Sequence, residues 1–188
     1  MEHSLTFLTR RKRRIWLRPM RPDDVSHLID IFAHLSPQSR YFRFHEPLEA
    51  PDPEQVEEKA REIAALDPDK GRGWLAFANV RGRRTPVGGI RWVRVDETTA
   101  EIALTVRDDF QGQGIGLELL RIAVLDAAAA GVRRVVAVIQ GANQAVVQLL
   151  RHAPAPIQKT ISAGEIYVEA DLREVAAAMR EQAPAASV

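Results

Sequence analysis

The chain has 188 residues, 46% hydrophobic and 27% charged, with a formal net charge of +1. Such a composition suits one globular domain with a core of its own and excludes a fibrous or wholly disordered chain. It has no cysteine, which excludes a disulfide framework, a thiol nucleophile and a thiolate metal site.

No apolar run reaches the ~18 residues of a membrane span. The basic cluster Arg10 to Arg14 follows a short mixed segment, the wrong order for a secretory signal, so a cytoplasmic protein is expected. Charge is uneven: residues 1–22 hold seven basic groups against one acidic, and the rest holds 19 against 24. A basic segment on an acidic body can meet phosphates or simply stay solvated. Nucleic acid is not the expected partner, because no aromatic residues interleave these arginines.

In chain order, "RIWLRPM" (14–20) alternates apolar and basic residues and predicts a first strand. Pro22, Asp23 and Asp24 open a helix whose inner face is Val25, Leu28, Ile29, Phe32 and Leu35. "SPQSRYFRFHEP" (36–47) reads as an aromatic and basic connection with no assigned structure. Asp52, Pro53 and Gln55 have the spacing of a second helix start, with Val56, Ala60 and Ile63 inward. "WLAFANV", the turn "RGRRTP", "VGGIRWVRV", "DETT" and "AEIALTV" predict an antiparallel meander over 74–106. A buried helix is expected from about Gly114 to Ala130, with Gly131 as its C-cap. "VVAVIQ" (135–140) reads as a strand covered on both faces. A short helix from Asn143 to Arg151, a hairpin over "APAPIQKT" and "GEIYVEADL", and a helical tail from Arg173 complete the chain.

The most informative stretch is "RDDFQGQGIGLELL" (107–120), with Gly112, Gly114 and Gly116 at the mouth of a helix. Three uses of so much bare backbone are open: a phosphate-bearing ligand, a tight turn, or close helix–sheet packing. The first N–H groups of a helix lack partners and attract anions. A P-loop is excluded, since Leu117 and Glu118 stand where Lys and Ser/Thr belong. A dinucleotide fingerprint fails as well, because Leu117 takes the last glycine position and the preceding strand belongs to a meander.

What remains, Gln111-Gly112-Gln113-Gly114-Ile115-Gly116, matches Q/R-x-x-G-x-G/A. It resembles motif A of the GNAT superfamily of N-acetyltransferases, whose turn and helix hold the pyrophosphate of acetyl-CoA. The order of meander, motif, apolar strand and Asn-initiated helix extends the resemblance over about residues 14 to 172. Ser36, Pro37, Ser39, Arg40 and Tyr41, with "AEIALTVRDDFQGQGIG", are similar to the acetyltransferase domain of bacterial protein lysine acetyltransferases. From the residues alone, that aromatic segment serves equally as a plug in the core.

The resemblance implies an α/β (α+β) fold with a mixed, mostly antiparallel central sheet and helices on both faces. The domain it implies spans 14–172, between the basic arm of residues 1–13 and the helical tail of 173–188. The reaction implied moves an acetyl group from acetyl-CoA, as co-substrate and without a metal, to an amine: a protein lysine first, a small-molecule amine second.

Glu101 stands where the family carries its catalytic base, although alternation alone also allows a solvent-facing strand residue. A base is needed because an ammonium cannot attack and a lysine titrates near ~10.4. The backbone of Leu104, Thr105 and Val106 is implied to pair with the pantetheine arm, unless that strand is paired on both sides. Gln111, Gly112, Gln113, Gly114, Ile115, Gly116 and Leu117 are implied to hold the pyrophosphate. Asn143 is implied to touch the cofactor arm, and it also suits a plain helix cap.

Two departures stand out. Leu150 occupies the place of a frequent thiolate-protonating Tyr, and "HAPAPIQ" replaces a usual Gly-Phe. They motivate the alternative of a non-catalytic acyl-CoA-binding regulatory module. His3, His27, His34, His45 and His152 form no metal-ligand pattern and read as surface or packing residues. Oligomeric state, a homodimer included, stays open.

Overall fold

The computed structural model describes residues 5–48, 51–151 and 156–181. These build one eight-stranded sheet with helices on both faces. Strands β1 (Leu5–Leu8), β2 (Arg14–Pro19), β3 (Gly71–Val80), β4 (Arg83–Arg94), β5 (Thr99–Val106), β6 (Arg134–Gln140), β7 (Gln158–Ser162) and β8 (Glu165–Asp171) run in the order β1-β2-β3-β4-β5-β6-β8-β7. All neighbours are antiparallel except β5 and β6, which are parallel. A parallel pair needs a crossover, and α4 (Ile115–Ala129) supplies it.

Leu5 to Leu8, inside the segment expected to be a basic arm, pair with β2 and form an edge of the sheet. The β3–β4 turn is shorter than "RGRRTP". Arg81 (φ 51°) and Gly82 (φ 82°) supply the two positive φ angles of a tight hairpin turn, and β4 begins at Arg83. Pro86 is tolerated in β4 because the register shifts beside it, between Ala76 and Phe77 of β3.

One face of the sheet is covered by α4 and α6 (Leu172–Glu181). Ile90, Trp92 and Ala100 pack there against Ile115, Leu119, Ile122 and Ala123. Trp92 Nε1 donates to Asp126 Oδ2 at 2.8 Å, so the indole carries its polar atom into the interface satisfied.

The other face carries α1 (Val25–Ala33), α2 (Pro37–Phe44) and α3 (Pro53–Ala64). There Leu28 and Ile31 cover Leu75 and Phe77. Asp24 does more than start α1. Only 2% exposed, its carboxylate accepts from Arg18 Nη1 and Nη2 (2.7 and 2.6 Å) and from the Arg21 amide (2.8 Å). It also meets His27 Nδ1 at 2.8 Å, which fixes α1 to β2. Burial alone would push Asp24 up, but Arg18, His27 and the Arg21 amide together hold it below the usual carboxylate range.

The unassigned stretch after Leu35 is helix α2. Ser36 caps it by accepting from the Ser39 amide at 3.2 Å, and Pro37 sits in its first turn, where no N–H is needed. Phe44 meets Phe32 of α1 edge-on at 5.7 Å, while Tyr41 is 40% exposed, so the segment only partly plugs the core. Asp52 caps α3 through the Glu54 amide at 2.9 Å.

Strand β6 is not covered on both faces. Val135 and Ile139 are buried, but Val138 is 41% exposed, and that open side faces a cavity. Part of "HAPAPIQ" (152–155), His3 and the end of the tail beyond residue 181 lie outside the described residues.

Candidate active site

The glycine turn follows Asp108–Phe110, a short 3-10 helix, and opens α4. Gly112 (φ 69°) and Gly114 (φ 91°) have left-handed backbone, and a Cβ at either would meet open space. Their glycine character thus comes from the turn's dihedrals, and the space in front of the turn is free. Gly116 differs: a Cβ there would lie 3.4 Å from Leu104 Cδ2, in ordinary contact with β5.

The other motif residues divide in two. Ile115 is buried in the core and anchors the helix start, and Leu117 is half-buried. Gln113 is 1% exposed, its Nε2 donates to the Asp109 carbonyl at 3.3 Å, and its Oε1 is without a partner. Its side chain therefore points into the protein, leaving only its backbone to face a ligand. Gln111 Nε2 donates to the Val106 carbonyl at 3.1 Å and to Asp108 Oδ1 at 3.0 Å, which ties the turn to the end of β5.

The pairing of β5 with β6 stops at Glu101 and Val136, although both strands continue. Along β5 the other neighbour, β4, stays paired to Val106. Arg107 N donates to the Val87 carbonyl at 2.9 Å. Alternation in an antiparallel ladder then turns the N–H and C=O of Ile102, Leu104 and Val106 away from β4, toward the gap. The Val106 carbonyl is taken by Gln111, but Leu104 presents both of its groups to the opening. Thr105, by contrast, points its backbone at Gly89.

A cavity of about 850 Å³ occupies the gap. Its wall includes Leu120 and Val124 from one face of the sheet and Val56 and Ile63 from the other, so it passes through the sheet. Glu101, Ala103 and Thr105 line it on the face that carries α1 to α3. Asn143 is at its edge, and its Oδ1 accepts from the Val146 amide at 3.2 Å, a cap for α5 (Gln144–Arg151). Leu149 and Leu150 add apolar wall, so no hydroxyl comes from the α5 position.

Sequence reasoning missed two groups of residues here. The first is Arg43, with Arg91. Arg43 Nε donates to Thr105 Oγ1 at 3.0 Å, and both arginines line the cavity beside Glu101. Burial, reinforced by the like charge of Arg91, pushes the Arg43 guanidinium down to about 10, while Glu101 pulls it the other way. The only sequence signal was a basic residue set among the aromatics of "YFRF".

The second group is a polar strap at the C-terminal end of α2. His45 (φ 58°) places Nδ1 at 3.1 Å from Glu165 Oε1, and Gln140 Nε2 donates to the same oxygen at 2.9 Å. Tyr167 OH donates to Glu165 Oε2 at 2.9 Å. The phenol first, and then His45 and Gln140, hold Glu165 below the usual range, while the carboxylate pushes Tyr167 up. Of the other described histidines, His27 packs edge-on against Phe77 and His34 Nδ1 lies 2.7 Å from the Asp30 carbonyl oxygen. Among the described residues no group of three or more His, Cys, Asp or Glu is placed to hold a metal ion, and no helix is long and apolar enough to cross a membrane.

Known proteins share this fold. The family model described as Acetyltransferase (GNAT) domain matches residues 14–153. An acetyltransferase of Pseudomonas aeruginosa is 28% identical over 135 residues, 71% of this chain and 70% of that protein. The GNAT domain of S. lividans PAT superposes with a TM-score of 0.76 at 22% identity, covering 89% of this chain and 96% of that one. A cAMP-binding acyltransferase from Mycobacterium smegmatis matches with a TM-score of 0.60 at 22% identity, covering 96% of this chain but 54% of that protein. With the family model spanning the meander, the glycine turn and the split between β5 and β6, the chain belongs to the GNAT family and is an N-acetyltransferase.

Proposed function

We propose that this enzyme transfers the acetyl group of acetyl-CoA to an amine, with Glu101 as general base. The acceptor is a protein lysine, as the Ser36 to Tyr41 segment implies by resemblance, or a small-molecule amine. The observation that carries the reading is the cavity through the split sheet. It brings Glu101 into one chamber with the gap-facing backbone of Leu104, and Gln111 ties the glycine turn to the same strand end.

The groups present fit such a co-substrate. The free N–H groups at the start of α4, with open space before Gly112 and Gly114, suit a pyrophosphate. The Leu104 N–H and C=O suit an amide-bearing arm laid along the gap as a substitute strand. Glu101 takes the proton from the incoming ammonium, and the freed amine attacks the thioester carbon. The C–S bond breaks, the nitrogen gives up a second proton, and that proton balances the departing thiolate, giving an amide and the CoA thiol.

Tyr167 is a poor donor to the departing sulfur, because its proton is held by Glu165. A thiol with a pKa near ~8.5 is a tolerable leaving group unaided. Leu150 therefore slows the step without forbidding it. The rival reading, a module that binds acyl-CoA without turning it over, rests on the same Leu150 in the cavity wall.

Calorimetric titration of acetyl-CoA, with Gly114→Trp as a blocked control, joined to a thiol-release assay over an amine panel, separates these readings. Binding abolished by Gly114→Trp together with thiol release supports acetyl transfer. Binding without release on any amine supports the rival, and absence of binding sinks both.

A further inference from the structure

The acceptor chamber holds guanidinium donors that a plain amine does not satisfy. Arg43 spends Nε on Thr105 Oγ1 and rests on the Phe44 ring at 5.0 Å, but its two terminal nitrogens have no hydrogen-bond partner among the described residues. Arg91, directly opposite Ala103 in the β4–β5 register, has neither a side-chain hydrogen bond nor a carboxylate within ion-pair distance among the described residues. Glu101, on the same face of β5, has no hydrogen bond or ion-pair contact from its side chain among the described residues, although its charge acts on Arg43.

The other charges on the cavity wall include Glu46 and Lys59, and Lys59 pairs at 2.7 Å with Glu62 of α3, whose charge also acts on Arg91. His45 and Glu165 of the strap also pair with each other. Arg43 and Arg91, which feel each other's like charge, thus keep unbonded N–H groups beside Glu101 in the cavity wall. Guanidinium donors held partly out of water without acceptors are costly unless a ligand brings an acceptor.

In the acetyl-transfer reading, on which this inference rests, the phosphates of acetyl-CoA sit at the glycine turn, and the acceptor amine sits at Glu101. Neither provides an anion at Arg43. A lysine side chain in a polypeptide carries none of its own beside its amine, whereas a free amino acid does. A planar carboxylate also matches the paired donors of a guanidinium. We propose that the acceptor is a small amine that also carries a carboxylate, an amino acid or a compound of that type, with its amine at Glu101 and its carboxylate on Arg43 and Arg91. The like charges that repel each other in the free chamber become the carboxylate's binding site, and Thr105 fixes the angle of the Arg43 fork.

The test uses the full chain with saturating acetyl-CoA and follows thiol release with free amino acids, their methyl esters, and lysine peptides with blocked termini. The free acids are expected to exceed their esters in kcat/KM by about tenfold or more. Arg43→Gln and Arg91→Gln, each checked for an unchanged melting curve and acetyl-CoA affinity, should erase that preference. Equal rates for acid and ester, or blocked peptides as the best acceptors, overturn the proposal while acetyl transfer stands. So does a fall in kcat that is the same for acid and ester, which would assign Arg43 to the reacting acyl group.

A second measurement covers slow turnover. N-acetyl amino acids and their esters are titrated into the CoA-loaded protein, and only the carboxylates should bind, with Arg43→Gln weakening them. No carboxylate-dependent binding overturns the proposal. Failure of acetyl-CoA itself to bind would be a failure of the acetyl-transfer reading.

Discussion

Arg43 Nε donates to Thr105 Oγ1 at 3.0 Å across 62 residues of sequence, and this bond ties helix α2 to the strand whose backbone edges the split in the sheet. A charged side chain, largely out of water, is thereby held against β5 on the side of Glu101. Replacing Thr105 with Val keeps the shape but deletes the acceptor. Loss of about 1–3 kcal/mol of stability is expected, because a mostly buried donor is left unmade. Urea unfolding measures this, and an unchanged midpoint would mean that water serves the guanidinium equally well.

Glu101→Gln tests the base. Removing a positioned base costs about 10²–10⁴ in rate at neutral pH. The loss should shrink as pH rises toward the intrinsic pKa of the amine, since a neutral amine no longer needs the carboxylate. Acetyl-CoA affinity should be unaffected. A parallel loss at every pH would assign Glu101 to positioning instead.

Asp24 predicts a pH dependence of stability. Its folded pKa lies below the unfolded value of about 3.9, so its stabilising contribution is full above that pH. The contribution fades as pH falls below about 4 toward the folded pKa. Asp24→Asn should lose about 3 kcal/mol at pH 7, where Arg18 loses the carboxylate it is hydrogen-bonded to, and should flatten the acid limb of stability against pH. Denaturant titrations at pH 7 and at about pH 3 compare the two directly.

The glycines predict a contrast. Gly116→Ala puts a methyl 3.4 Å from Leu104 Cδ2, an ordinary contact, and improves helix propensity by up to about 1 kcal/mol. Stability and acetyl-CoA binding should both survive it. Gly114→Ala forces a side chain to φ 91° and should cost about 1–2 kcal/mol of stability. Thermal melts of the two variants, run beside acetyl-CoA titrations, check the pair. A more stable Gly114→Ala would remove the dihedral explanation.

Much of the fold was legible because it is written locally. The meander of β3 to β5 shows as alternation and turn residues, and α4 as a long apolar run between a glycine turn and Gly131. Gln111 to Gly116 announced a helix start open to an anion, and Ser36-Pro37 carried the cap of α2, a signal the aromatic content of that segment obscured. The covered appearance of "VVAVIQ" misled for a physical reason. An apolar strand facing a ligand cavity has the same composition as one facing a helix.

By itself, the order of residues determined most of the elements and carried the resemblance that pointed to the family and the candidate base, since motifs and propensities depend on near neighbours. Only tertiary structure decided which distant residues meet: Arg43 with Thr105, Arg91 beside Glu101, and His45 with Glu165 across 120 residues. It also decided that Gln113 turns inward and that β5 parts from β6 after Glu101, leaving Leu104 to face the opening. Those facts depend on sheet register and on helices packed over a face. They follow from the balance of burial and pairing over the whole chain, and no short stretch of sequence contains it.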